Sequence, residues 1–216
     1  MRRKPFCWLI IQWLSLFTIS NTWGATYPLH ICYQRLQGFP SLQQKLGSTV
    51  AIAPFQDKRP DREYIGHYTS ARRVSNYFKS DPFPLERAIR DSLSQAFSRS
   101  GVKTLPVSEW CGEQKSIKNI QGDSILTTEI RRFWTEGTAS RFNTRVITSV
   151  YLVIHLGVKK EGQVFTRNIF VGKERTVQQV TPEEVELTFN LILANIIDNF
   201  LSDPYNMSCP PRRGNL

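Results

Sequence analysis

The chain has 216 residues, with 28 Lys and Arg against 18 Asp and Glu, for a formal net charge of +10. Hydrophobic residues make up 40% and charged residues 21%, which excludes a disordered or low-complexity polypeptide and fits a folded protein with a basic surface. A basic chain meets anionic surfaces, so its compartment decides which ones matter.

The first stretch, MRRKPFCWLIIQWLSLFTISNTWGA, has the layout of a secretory signal. Arg2, Arg3 and Lys4 form a basic start, Phe6 to Ile19 an apolar run, and Asn21 to Ala25 a small, polar exit. Gln12, Ser15 and Thr18 interrupt the run, which is shorter than the ~20 apolar residues of a membrane span. Residues 1–25 are therefore expected to be a signal peptide, and removing them lowers the formal charge from +10 to +7. What remains, about 190 residues, suits one domain with a proper core.

Residues 26–48, punctuated by Gly38, Pro40 and Gly47, read as an extended lead-in. STVAIAPF, 48–55, reads as a strand ended by Pro54. From Gln56 to Pro82 the chain is polar, Arg-rich and aromatic, a long excursion with a hairpin around YTSARRVSNYF. Leu85, Ala88, Ile89, Ser92, Leu93, Ala96 and Phe97 then repeat at helical spacing, with Pro84 before them and Gly101 after.

VKTLPVSEW, 102–110, reads as a second strand. Three runs rich in β-branched and aromatic residues follow: SILTTEIRRFWTEG, RVITSVYLVIHLGV and VFTRNIFVGKERTV. KKEGQ joins the last two, so the three read as an antiparallel meander. The middle run is apolar on both faces and is expected to be central. In TPEEVELTFNLILANIIDNFL, Thr181 and Glu184 form a capping box ahead of a broad apolar stripe. Residues 204–216 read as a flexible tail rich in Pro and Arg. The expected fold is α+β: a mainly antiparallel sheet of about five strands with two helices packed on it, as a single domain over 49–203.

Candidate chemistry is sparse. His30, His67 and His155 lack any metal-ligand spacing, so no metal or other cofactor is expected. His155 reads as a half-buried histidine with satisfied nitrogens. Glu183, Glu184 and Glu186 are explained by a helix start. No nucleophile elbow or phosphate-binding loop is present. Asp57, Glu63 and His67 are the one set from which a hydrolytic site could be built.

Asp57, Arg59 and Gly66 read instead as a structural motif, with Asp57 holding a turn. The candidate binding surface is the basic and aromatic loop of Arg62, Tyr64, His67, Arg72, Arg73, Tyr77 and Lys79. In an oxidising compartment, Cys32, Cys111 and Cys209 allow one disulfide and one odd thiol, with the pairing open.

The strand VAIAPF, then Asp57-x-Arg59, Ile65-Gly66 and a helix closing on Gly101-Val102, resembles the YajG-type lipoproteins of Gram-negative envelopes. GDSILTTEIRRFW with its following meander and terminal helix is also similar, and the likeness covers residues 49 to about 203. Auxiliary lipoproteins of envelope transport systems and outer-membrane assembly factors share the opening motif more loosely. The resemblance implies a small periplasm-facing domain, tethered by lipid, with no established enzymatic activity or cofactor. The chain departs from that pattern at the tether, because Cys32 follows Leu29-His30-Ile31 rather than small residues.

The function expected from the sequence is thus that of a non-enzymatic periplasmic protein, peripheral to the outer membrane. It would be an accessory or docking component of a transport, secretion or assembly complex. The alternative is a binding protein for an anionic lipid or glycan of the envelope. An envelope protein complex is the expected partner; nucleic acid and small-molecule substrates are not expected.

Overall fold

A computed structural model describes residues 24–35, 38–110 and 112–205. The expected signal peptide therefore lies outside the described residues, except for Gly24 and Ala25. Among the described residues no helix is long and apolar enough to cross a membrane.

In chain order the elements are β1 (Thr26–His30), α1 (Leu42–Leu46), β2 (Thr49–Ile52), β3 (Gln56–Asp57), β4 (Gly66–Thr69), β5 (Ser75–Asp81) and α2 (Leu85–Arg99). Then come β6 (Lys103–Pro106), a 3-10 helix (Gln114–Asn119), β7 (Ser124–Ala139), β8 (Thr144–Val158), β9 (Gln163–Val177) and α3 (Pro182–Ser202). All nine strands join one sheet.

This corrects the expected architecture of about five mainly antiparallel strands with two helices. The meander β7-β8-β9 is antiparallel, but β2, β3 and β4 lie one after another along the other edge of β7, each parallel to it. Beyond them β6 extends β2 in parallel, β5 pairs antiparallel with β4, and β1 adds parallel to β5. The sheet is mixed because residues 49–69 run beside β7 in the same direction. The region read as an excursion supplies three strands.

The helical face of the sheet holds the main core. Leu126, Ile130 and Phe133 of β7 and Val150, Leu152 and Ile154 of β8 pack beneath α2 and α3. Phe133 stacks on Phe189 of α3 with ring centroids 4.4 Å apart. Of the expected capping box of α3 only the N-cap half forms, the Glu184 amide donating to Thr181 Oγ1 with no bond from the Thr181 amide back to the Glu184 carboxylate. Buried Arg167 of β9 donates to the Asn199 and Asp203 carbonyls at the other end of that helix. A cation there satisfies orphan carbonyls and complements the helix dipole.

The lead-in over 26–48 contains β1 and α1. Residues following β1 are tied to α3: Asn190 accepts from the Cys32 amide and donates to the His30 carbonyl, and Tyr33 donates to Asp198. At the far end Tyr205 packs on Phe165; residues 206–216 lie outside the described residues.

The opposite face of the sheet is covered only in part. Trp110 and Ile117 lie over Ala51, Ala53 and Ile125, and Gly157 leaves room for them, since a Cβ there would meet Ile125 and Trp110. Toward the other end of β7, β8 and β9 this outer face is open, leaving Tyr77, Ile147 and Phe170 exposed. The apolar second face expected for β8 is therefore buried at Gly157 and bare at Ile147.

Candidate docking surface

The parallel run of β2, β3 and β4 along β7 is interrupted once. Asp57 is in register with Ile130 and Gly66 with Thr135, so nine steps of one strand are matched by five of the other. The surplus loops out at residues 58–65. Arg59 closes that loop from inside.

Its Nε and Nη2 donate to both carboxylate oxygens of Asp57, at 3.0 to 3.2 Å and 2.7 Å. Nη1 donates to the Tyr64 and Phe133 carbonyls, and Nη2 also to that of Arg62. Asp57 Oδ1 accepts from the Arg59 amide as well. The planar, five-donor guanidinium is suited to such a set of bonds. Asp61 turns the outer part of the loop by accepting from the Glu63 and Tyr64 amides. Gly66 then re-enters the sheet so close to Thr135 that any Cβ would collide with its carbonyl.

β7 carries an irregularity at the same level. Ile130 is opposite Leu152 and Arg132 is opposite Tyr151, which leaves Arg131 as an extra residue. A bulge of this kind switches which side chains face the core: Ile130 and then Phe133 point inward, and Arg132 and Trp134 lie on the outer face. The loop and the bulge together line a cleft of about 340 Å³, bounded by Pro60, Asp61, Arg131, Arg132 and Trp134, with Arg59 and Phe133 at its base.

An aromatic row runs from this cleft across three strands. Trp134 of β7 meets His67 of β4 edge-on at 5.7 Å, His67 lies 6.0 Å from Tyr77 of β5, and Tyr77 is 4.8 Å from Tyr64. Arg132 donates to Ser149 at 2.5 Å and forms no ion pair among the described residues. Arg131 is paired with Glu129 at 2.8 Å.

The candidate surface read from the sequence separates into two. Tyr64, His67 and Tyr77 belong to the outer-face row. Arg62 lies in the stapled loop beside it, and Lys79 is held near Glu63 and over the Phe83 ring. Arg72 and Arg73 sit at the turn between β4 and β5, at the far end of that hairpin. Trp134, Arg132 and the cleft were missed; the signal for them was the three-residue spacing of Ile130 and Phe133, which breaks strand alternation.

Asp57, Glu63 and His67 are not assembled as a site. Asp57 is committed to Arg59, Glu63 to Lys79 and His67 to the aromatic row, and no hydrogen bond or ion pair joins any two of the three. His155 shares a hydrogen bond between Nδ1 and Thr166 Oγ1, with Glu129 4.0 Å from Nε2. Burial pushes its pKa down against the pull of Glu129, which keeps the ring neutral at neutral pH. Cys32 is half-buried; Cys111 and Cys209, the other disulfide candidates, lie outside the described residues. No group of metal ligands occurs among the described residues.

No protein-family model matches the chain, and no curated protein matches it. Among solved structures, a Xanthomonas campestris protein described under the family model DUF330 is similar, with a TM-score of 0.58 and 14% identity, over 83% of this chain and 94% of that one. A neuraminyllactose-binding hemagglutinin homolog from Helicobacter pylori gives a TM-score of 0.45 and 11% identity, over 81% and 93%. A lipoprotein from Neisseria meningitidis gives 0.38 and 9%, over 70% and 99%. The first of these likenesses shows that the chain shares its fold with the Xanthomonas protein.

Proposed function

We propose that the protein is a non-enzymatic component of the bacterial envelope that docks onto an outer-membrane-associated complex through the open outer face of its sheet. The observation that carries this reading is the row Trp134, His67, Tyr77 and Tyr64 beside the cleft that Arg132 borders. Half-buried aromatics with one exposed ring, Tyr77, next to an arginine that forms no ion pair among the described residues are the composition of an interface centre, where large rigid side chains gain area at little entropic cost. Neighbouring Ile147 and Phe170 widen the apolar area.

The signal-like start and the resemblance of residues 49 to about 203 to YajG-type lipoproteins support the envelope assignment. The commitment of Asp57 to Arg59 supports a structural rather than hydrolytic use of that motif. Affinity capture from a crosslinked envelope fraction tests the reading. The wild-type chain should recover one envelope complex, and the Trp134→Ala, Tyr77→Ala double variant should lose it while remaining folded by circular dichroism. Equal recovery by both would refute docking through this face.

A further inference from the structure

A second surface, away from the aromatic row, lies where two hairpins end side by side. β4 runs parallel to β7 with Thr69 opposite Thr138, so the turn Ser70–Val74 after β4 and the turn Ser140–Asn143 after β7 emerge at one end of the sheet. They enclose a hollow of about 300 Å³ lined by Ser70, Ala71, Arg141 and Phe142 together with Gln178 and Gln179 of the connection into α3.

Arg72, Arg73 and Arg141 are all exposed there, and none forms an ion pair or a side-chain hydrogen bond among the described residues. Phe142 is 82% exposed, far more than any other large apolar side chain described, with the Arg141 guanidinium 5.6 Å from its ring. No acid occurs in either turn or in Gln178–Thr181; the first is Glu183 in the opening turn of α3.

The described chain also begins at this end. The Ala25 amide donates to Asn76 Oδ1 and its carbonyl accepts from the Tyr77 amide, and Gly24 lies against the Ser75 carbonyl, next to the Ser70–Val74 turn. Residues 1–23, with the apolar run Phe6–Ile19, thus join the domain beside the three arginines. Before this run is removed, a bilayer that held it would be joined to the tip through the five residues 20–24.

We propose that this end of the molecule is a membrane-facing tip that rests on an anionic lipid surface. Arg72, Arg73 and Arg141 contact headgroup phosphates and Phe142 enters the interfacial layer. Cations held within a Debye length of an anionic leaflet are attracted to it, and an aromatic ring is at home at the headgroup boundary. The tip is separate from the outer-face docking surface, so the two readings stand or fall independently.

Hydrogen exchange of the full-length protein, reconstituted in phosphatidylcholine vesicles with or without phosphatidylglycerol, tests the proposal. Amides of 70–74 and 140–143 should be protected in the anionic vesicles and unprotected in the neutral ones. Raising salt from ~0.1 M to ~0.5 M should weaken the protection. At roughly 1 kcal/mol per arginine near the surface, the triple variant Arg72→Gln, Arg73→Gln, Arg141→Gln should lower the docked-to-undocked ratio about a hundredfold.

Phe142→Ser should reduce protection at both salt concentrations. The idea is overturned if the two turns exchange equally in both vesicle types, or if the triple variant keeps wild-type protection. Protection that appears only when an envelope protein extract is added also overturns it, since that outcome assigns the tip to a protein partner.

Discussion

Arg59 and Asp57 meet at 2.7 Å with only 3% and 4% of their side chains accessible, and this one pair fixes the loop that borders the outer-face cleft. The loop would otherwise be an eight-residue surface segment, 58–65, with few apolar anchors besides Ile65. The guanidinium replaces those anchors with hydrogen bonds to three carbonyls, one of them across in β7.

Breaking the pair by Arg59→Ala leaves a buried carboxylate and three carbonyls without their donor. A loss of about 3–5 kcal/mol in unfolding free energy is expected. The double variant Asp57→Leu, Arg59→Met should lose less than Arg59→Ala alone, because it leaves no charge uncompensated. Urea denaturation of the three proteins checks both statements.

The start of β2 is clasped to the start of β7 by Asp123, whose carboxylate accepts from the Thr49 hydroxyl, the Thr49 amide and the Ser48 hydroxyl. These bonds, those from Thr49 first, hold its pKa below the ordinary carboxylate value. A depressed folded-state pKa means that the stabilisation is complete above the unfolded value of ~4 and disappears as pH falls through the folded one. Asp123→Asn should therefore be less stable than wild type at neutral pH, with the gap closing below about pH 4. Thermal melts of the two proteins from neutral to acidic pH measure that gap.

Asn190 is the buried link between α3 and the segment after β1. Asn190→Ala removes one donor and one acceptor together, leaving the His30 carbonyl and the Cys32 amide without partners; a cost of about 1–3 kcal/mol is expected. The segment around residues 30–35 should also become the preferred site of limited proteolysis, while α3 stays helical. Mass analysis of the digest identifies the cleavage.

The two long helices and the meander were legible in the sequence because each carries its period over many residues. Eight apolar positions of the α3 stripe, from Val185 to Leu201, are all buried. The mixed sheet was not legible. β3 has two residues and β4 has four, too few for alternation to stand out, and their pairing partner lies some seventy residues away in β7.

Parallel register of that kind depends on tertiary packing that no local pattern encodes. The basic and aromatic loop was legible as composition, but its division was not. Only the short β4-β5 hairpin reveals that Tyr77 and Arg73, four residues apart, lie on different parts of the surface. Arg132 and Trp134 were hidden because a bulge at Arg131 turns them outward.

Docking through the outer sheet face is tested most directly by placing a photo-crosslinking amino acid at position 134, and separately at exposed position 187 on α3, in the native cell. The expected result is one discrete adduct with an envelope protein from position 134, competed away by Tyr77→Ala, and none from position 187. Adducts of the same kind from both positions, or none from position 134 with the chain correctly exported, would contradict it.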